Sequence, residues 1–537
     1  MSSTFGTITT VRLGIYAAQK GLDVTGNNIT NINTNGYTRQ RLDQISLVTS
    51  ASDKYGSQYK ARVGQGPVLT GISQLRDPGM DISYRKANSD VGSADQMLAG
   101  LEDLAGILDE VGKGDGEQDD GVILNQLNDL RDLINQALTN GIEDYEGSIR
   151  ASANALCTQF HQYAKALEGL MEDYETQLNE DTTRVNQILT ELRDVNLQIR
   201  NSDVRGDAAL ELRDKRNLLL DELSGYMKID VTYSMVDAGG GYMVEEMSVK
   251  LADKNNPETF LVKGEYAAQI STSGDNYDVT VSELTNKDGD LHPTEQKADV
   301  TLGDNDLYGS LQSLRELLTE EGEYASADDI KTDPNAASKR GIPYYIHQLD
   351  NLARTFAEEM NKLNTVPAGT NIDGAGDLFA SNDAKNPNIT AGNISISQEW
   401  AEGTVKMLST RDPNAPTDDR SNLAAFLNLF NKKDITFDLT NAPGAQNPNG
   451  TPYVGSFESM LLRIQSTLAQ DQMAATTTVS NYAITLNNVY TDRDSITGVD
   501  LNDEATSLMV YQKAYTAACR VLTTLEEAID TLLNATA

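Results

Sequence analysis

Both ends of the chain carry a long apolar stripe, and any fold must find cover for the two of them. Alternating steps of three and four from Ile8 pick out Ile8, Val11, Ile15, Ala18, Leu22, Thr25, Ile29 and Ile32, with Thr25 the one polar member. The same steps from Leu508 pick out Leu508, Tyr511, Tyr515, Ala518, Leu522, Leu525, Ile529 and Leu532, apolar or aromatic throughout. Each is a coiled-coil seam several heptads long. A helix with one apolar seam needs a partner, and two such helices on one chain can supply each other. The expectation is that the helices of residues 1–40 and 501–537 pair as a coiled coil. The competing expectation is that each packs on a separate domain.

The outer faces of these helices are also unusual. Residues 1–36 hold Arg12, Lys20 and Asp23 as their only charged groups. A solvated coiled coil carries charges on its flanks, so a charge-poor face suits burial against other subunits. The first seam then runs into GNNITNINTNGYTRQR, residues 26–41, which places Asn27, Asn28, Asn31, Asn33 and Asn35 ahead of Gly36 and Tyr37. Asparagine is a poor helix former because its amide bonds nearby backbone groups in other conformations. Two readings are open. The amides bond across a close-packed assembly without the desolvation cost of a charge, or they fray and cap a helix end. In either reading Gly36 takes the left-handed position that stops the helix.

Composition narrows the function. Lys and Arg total 43 against 80 Asp and Glu, a formal charge of −37. Nucleic acid and anionic membrane surfaces both require the opposite sign. Cys157 and Cys519 lie far apart and outside any CxxC, and His161, His292 and His347 are not at ligand spacing, so no metal or cofactor is expected. The opening stretch lacks a basic start followed by an unbroken apolar run, so it is not expected to be a cleavable secretory signal. No stretch reaches 18 uninterrupted apolar residues. No catalytic motif is present, and none of the scattered carboxylates stands out as a pair, so the chain is not expected to be an enzyme.

The middle reads mainly as helix. Residues 41–87 form a connector in which Tyr59, Ala61 and Val63, then Val68, Thr70 and Ile72, alternate about GQGP as a hairpin. Residues 88–228 are the first part of a helical rod, with Leu156, Phe160, Tyr163, Leu167, Leu170 and Tyr174, then Val185, Ile188, Leu192, Val195 and Ile199, at helical spacing. GKGDGEQDDG at 112–121 lacks the ligand spacing of a calcium loop and reads as a solvated turn. Residues 229–306 read as a β-rich outer domain with DAGGGY as a hairpin turn. Helices rejoin the rod at 307–364, and 365–455 is a small mixed outer region in which NISISQEW reads as a strand ending at Trp400. Residues 456–500 complete the rod, with Met460, Ile464, Leu468 and Met473 as the packing stripe. The fold class expected is mainly α with β-rich insertions: an elongated, multidomain helical bundle whose terminal helices pair.

The ends also carry a resemblance. Asn33, Thr34, Gly36 and Tyr37 match the Asn-Thr-x-Gly-aromatic signature of bacterial flagellar axial proteins. Thr38-Arg39-Gln40 and VGQGPVLTGISQLRDPGMDISYRKAN, residues 63–88, resemble the hook-associated proteins of the hook–filament junction more than the rod or hook proteins. GVDLNDEATSLMVYQKAYTAACRVLTTLEEAIDTLL resembles the C-terminus of that family through Gly498, Val499, Leu501, Glu504, Leu508, Tyr511, Gln512, Ala514, Tyr515, Ala517, Ala518, Leu522 and Leu532. Two positions depart from the pattern: Asn35 stands where the family often has Pro, and Cys519 where Ala or Ser is usual. The strong matches cover about a quarter of the chain.

The resemblance implies an extracellular structural subunit that passes unfolded through the flagellar type III export channel and forms a ring between hook and filament. Its partners would be further copies of itself, hook protein on one side, a second junction protein or the filament on the other, and an export chaperone before secretion. The residues expected to carry assembly are Ile8, Val11, Ile15, Leu22, Asn27, Asn28, Ile29, Asn31, Ile32, Asn33, Gly36 and Tyr37 at one end. At the other they are Leu508, Tyr511, Tyr515, Leu522, Leu525, Ile529 and Leu532. Another axial protein of hook or rod type is the nearest alternative, and a secreted adhesin using the terminal coiled coil is a more distant one.

Overall fold

The computed structural model describes residues 4–47, 64–108, 121–252, 259–274, 276–303, 305–367, 370, 372–416, 418–439 and 451–536. The first helix, α1 (Thr4–Thr30), is followed by an antiparallel pair, β1 (Gln40–Ser46) and β2 (Pro67–Gln74), with a register shift between Asp43 and Gln44. Val68 and Ile72 of β2 therefore pair with β1. Tyr59, Ala61 and Val63, the partners expected from alternation, lie outside the described residues, as does nearly all of the 112–121 turn.

Four helices build the first part of the rod: α2 (Pro78–Ile107), α3 (Val122–Asn140), α4 (Glu146–Val204) and α5 (Leu210–Tyr226). Asp77 starts α2, its carboxylate accepting from the Gly79 N–H at 2.8 Å, with Pro78 at the first helical position. The 59 residues of α4 run about 88 Å at 1.5 Å per residue. The two stripes read separately in the sequence lie on this one helix. Leu156, Phe160, Leu167, Val185, Ile188, Leu192, Val195 and Ile199 are all buried along it, at about 1.5–3 kcal/mol for each large side chain.

Strands follow at β3 (Ile229–Asp237), β4 (Met243–Leu251), β5 (Phe260–Lys263) and β6 (Tyr266–Ala267), an antiparallel sheet in chain order. β7 (Ile270–Ser273), β8 (Asp278–Val281) and β9 (Val300–Thr301) form a second sheet. DAGGGY is the β3–β4 turn, with Gly239, Gly240 and Gly241 all at positive φ. Asn186 of α4 anchors β7, its amide accepting from the Ile270 N–H at 2.7 Å and donating to the Ile270 carbonyl at 2.8 Å.

Helices resume with α6 (Gly309–Thr319), the short α7 (Ala327–Thr332) and α8 (Ile342–Asn364). The mixed region holds β10 (Phe379–Ser381), β11 (Ile394–Ile396), α9 (Gln398–Glu402), α10 (Ser421–Asn431), β12 (Ile435–Phe437) and β13 (Tyr453–Gly455). The strand expected to end at Trp400 stops at Ile396. Ser397 caps α9, and Trp400 sits in that helix, fully buried, its indole N–H donating to Glu146 at 2.7 Å. The indole thus fastens the mixed region to the start of α4.

The last two helices are α11 (Phe457–Thr497) and α12 (Leu501–Thr536). α11 begins in a capping box of Ser456 and Ser459 and packs along α2. Met460, Ile464 and Leu468 are buried as expected, but Met473 is 72% exposed. Position 473 stands five residues beyond Leu468, where the earlier steps are four, so its side chain turns off the stripe while Ala475 on the same helix still packs against the core cluster.

Candidate assembly interface

α1 lies between two partners, α12 on one flank and the β1–β2 hairpin on the other. Its closest approach to α12 is at Gly21. A β-carbon there would stand 2.5 Å from the Tyr511 ring, so the ring rests directly on the helix backbone. Around this crossing the buried residues of α1 are Ala17, Ala18, Val24, Thr25 and Asn28. Ile8, Val11, Ile15, Leu22 and Ile29 on α1, and Leu508, Tyr511, Leu522, Leu525 and Ile529 on α12, are half-buried. Ile32, Tyr515 and Leu532 are exposed. The helix ends at Thr30, two residues before Ile32 can join the seam. The small residues Ala17 and Gly21 were missed in the sequence because neither adds to an apolar stripe. Their 3.6-residue neighbourhood with Val24 and Asn28 was the available signal.

The asparagine cluster makes its visible bonds inside the chain. Asn28 is 1% exposed, and its amide donates to the Gln40 carbonyl at 2.9 Å. The same amide's oxygen accepts from the Gln40 N–H at 3.0 Å and from the Tyr37 hydroxyl at 2.8 Å. One side chain thereby satisfies both backbone groups of a strand residue. A carboxylate could only accept, and would bury a charge. Asn27 donates to the Gln40 side chain at 3.3 Å. Asn31 donates to both the carbonyl and the side-chain oxygen of Asn27 at 2.9 Å, holding the turn that stops α1. Asn33 and Asn35 are exposed. Gly36 takes φ +76 with its α-carbon face on Leu218 of α5, so the turn needs the left-handed freedom of glycine.

Beyond Gly36 the chain enters a joint with the rod. The Thr38 N–H donates to Asp214 at 3.2 Å, and Arg76 donates to the Thr38 hydroxyl at 3.1 Å while gripping Asp81 with both arms at 2.6 and 2.9 Å. The Arg39 N–H bonds the Thr497 carbonyl at 2.9 Å, and its guanidinium meets Glu504, 3% exposed, at 2.7 Å. Arg39 therefore touches the end of α11 and the start of α12 at once. Arg493 bonds Asp221 at 2.7 Å and lies 3.7 Å above the Tyr84 ring. Arg85 reaches the same Asp221 at 3.0 Å. Burial raises the Asp214 carboxyl above its usual range, against the pull of the Thr38 bonds and Arg76. Burial also raises the Tyr37 phenol, with Asp214, Glu211 and Glu504 adding to the shift.

Elsewhere the polar groups singled out in the sequence have structural partners. His161 bonds the Ile394 carbonyl at 2.7 Å, and His292 accepts from the Glu295 N–H at 3.0 Å. His347 lies against the Tyr324 ring. Cys157 is buried in the rod, its thiol pushed up to about 12 by desolvation. Among the described residues no group of three or more His, Cys, Asp or Glu could hold a metal ion, and no helix is long and apolar enough to cross a membrane.

Comparison with known proteins bears on the whole chain. Residues 144–379 match the family model described as flagellar hook-associated protein FlgK helical domain. Residues 494–535 match the model described as flagellar basal body rod FlgEFG protein C-terminal. Flagellar hook-associated protein 1 of Bacillus subtilis is 26% identical over 550 residues, covering 99% of both chains. The protein of the same name from Salmonella typhimurium is 22% identical over 571 residues, covering 97% of this chain and 98% of that one. Among solved structures, the flagellar hook junction protein FlgK from Burkholderia pseudomallei superposes with a TM-score of 0.52 at 12% identity, covering 78% of this chain and all of that one, a likeness of fold. The helical domain in the middle, the axial-protein segment at the end and the end-to-end likeness to curated relatives agree in likening this chain to hook-associated proteins of the FlgK type.

Proposed function

We propose that this chain is a structural subunit of the extracellular flagellum that joins hook to filament through axial packing of α1 and α12. The observation that carries this reading is the end-to-end likeness to hook-associated protein 1, since a shared helical domain alone would leave the ends unexplained. In this reading residues 1–40 and 501–537 form the assembly unit, and the seam residues that are only half-buried in one copy are completed by neighbours. Residues 88–228, 307–364 and 456–500 form a rod, with 229–306 and 365–455 as outer domains. Hook protein lies on one side, a second junction protein or the filament on the other, with an export chaperone engaged before secretion. The relatives are structural components, which fits a subunit without enzymatic activity.

The test is removal and replacement of the gene in its own host. Loss should leave hooks without attached filaments and release filament protein into the medium. Restoration by the full chain, but not by a chain lacking 501–537, supports the reading. Normal filaments in the absence of the chain overturn it.

A further inference from the structure

Three asparagines in the chain stand directly before a glycine: Asn35, Asn140 and Asn449. Asn449 lies outside the described residues. An Asn-Gly pair can react with itself, because glycine has no side chain to shield its backbone nitrogen from the amide carbon beside it. In a folded chain the reaction further requires that the two groups be free to meet.

The structure separates the two described pairs. Asn35 and Asn140 are both exposed. At the end of α3 the Gly141 N–H donates to the Ala137 carbonyl at 2.8 Å, and the Asn140 amide donates to the Tyr145 hydroxyl at 3.1 Å. Nucleophile and target are both held there. At Asn35 neither is: among the described residues no hydrogen bond holds the Gly36 N–H or the Asn35 side chain. The rest of the cluster differs again. Asn27, Asn28 and Asn31 are bonded, and Asn33 is followed by the β-branched Thr34, which crowds the backbone nitrogen.

We infer that Asn35 is a site of spontaneous deamidation, and that its conversion loosens the joint between the terminal helices and the rod. The Gly36 nitrogen loses its proton and attacks the Asn35 Cγ. The N–Cγ bond forms, the Cγ–Nδ2 bond breaks, and ammonia leaves carrying the proton. Water then opens the cyclic imide. Attack at Cγ leaves aspartate, and attack at the main-chain carbonyl leaves isoaspartate, with the backbone routed through the side chain. The net change turns an amide and a water into a carboxylate and an ammonium ion.

Both products disturb what lies next to them. Asn35 lines a cavity of about 520 Å³ between the turn and the rod, together with Asp221, Glu222 and Asp494. The arginines of the same cavity, Arg76 and Arg493, are already engaged by Asp81 and Asp221. A new carboxylate there meets like charge. Isoaspartate also lengthens the backbone just ahead of Tyr37, Thr38 and Arg39, whose N–H groups bond Thr34, Asp214 and Thr497. The inference stands on the geometry of the joint and is independent of what the chain assembles with.

The test ages the purified full-length chain in mildly alkaline buffer beside the variant Asn35→Gln, which keeps an amide but needs a larger, slower-forming ring. Peptide mapping by mass spectrometry, with an isoaspartyl methyltransferase to mark isoaspartate, should find Asn35 converted at least severalfold faster than Asn140. An Asn35 that stays intact, or that converts no faster than Asn140, overturns the site. Hydrogen exchange then reads the joint. The aged parent should exchange its Tyr37, Thr38 and Arg39 amides faster than fresh chain does, while aged Asn35→Gln and the amides of α4 stay unchanged. Joint amides as protected in the aged parent as in fresh chain would overturn the effect on the joint. Equal loosening in aged Asn35→Gln would overturn it too, by tracing the change to another cause.

Discussion

α8 and α12 have similar sequence patterns and opposite fates. α8 buries Ile342, Tyr344, Tyr345, Leu349, Leu352, Phe356 and Met360 among its neighbours, with Glu358 and Lys362 left toward solvent. α12 has a longer and cleaner seam, yet among its described residues Glu504 alone is buried, and Met509, Val510, Val521, Leu532 and Leu533 stand exposed. The difference lies in what surrounds each helix. α8 is covered by α4, α6, α10 and α11, while α12 has α1 as its main partner. An apolar seam thus announces that burial is required, and leaves open whether one chain can provide it.

The sharpest way to break this comparison is to put the same charge into both regions. Leu192→Asp, in the fully buried line of α4, should cost about 4 kcal/mol or more, since it leaves an unpaired carboxyl in the core. Thermal unfolding by circular dichroism should show a collapsed or absent rod transition. Leu525→Asp should leave the rod transition of the isolated monomer within about 0.5 kcal/mol of the parent, yet prevent incorporation into flagella. Limited trypsin digestion of the parent monomer should cut at Arg12, Lys20, Lys513 and Arg520 before it enters the rod. Equal melting losses from both variants would erase the distinction between the regions.

Asn28→Ala is expected to rank next. It removes three hydrogen bonds and strands both backbone groups of Gln40 in a buried site, at about 2–3 kcal/mol. Asn33→Ala, at an exposed position, should stay within about 0.5 kcal/mol. Hydrogen exchange at the Gln40 amide reads the difference directly; equal protection in both variants would mean that Asn28 does not hold the strand.

Gly36→Val should cost about 1–2 kcal/mol, because a β-branched residue resists φ +76. Gly36→Asn should recover much of that loss. The exchange rates of Tyr37 to Arg39 amides would report it, and a Val variant indistinguishable from Asn would rule out a conformational role.

The smallest effect concerns Asp214, at the joint between the two regions. Its carboxyl is raised by burial, so the folded state holds its proton more tightly than the unfolded chain does. That contribution to stability is present below the ordinary carboxylate range and is lost as pH rises through the folded value. Asp214→Asn keeps an acceptor for the Thr38 N–H and removes the charge. It should stabilise the joint at neutral pH, with the gain shrinking as pH falls toward the ordinary carboxylate range. Chemical denaturation at several pH values would show it, and a gain that grows on acidification would reverse the assignment.

Much of this was legible in the residues. The two seams, the α4 stripes and the glycine turn at 239–241 follow from spacing and from the needs of positive φ. Met473 misled because its step of five from Leu468 breaks the helical period and carries it off the face that Met460, Ile464 and Leu468 share. Asn28 was legible as unusual but not as a strand partner, since its bonds reach Gln40 across a turn that no local rule specifies. The joint was illegible for a stronger reason. Arg39 and Glu504 stand 465 positions apart, as do the other members in lesser degree, and no pattern within a window links a cation to so distant a carboxylate.

The Arg39 contact with Thr497 and Glu504 also has a kinetic consequence. Once the rod has folded, residue 39 and the end of α11 are already side by side. α1 and α12 then meet as two short tethered segments, not as the ends of a chain more than 500 residues long, so the search entropy for their pairing has been removed in advance. Their local concentration is high and their mutual grip is weak, a combination that permits rapid opening and reclosing. A subunit arriving at the growing end would thus carry a pair that breathes, able to exchange partner surfaces with its neighbours before the surrounding lattice closes over it.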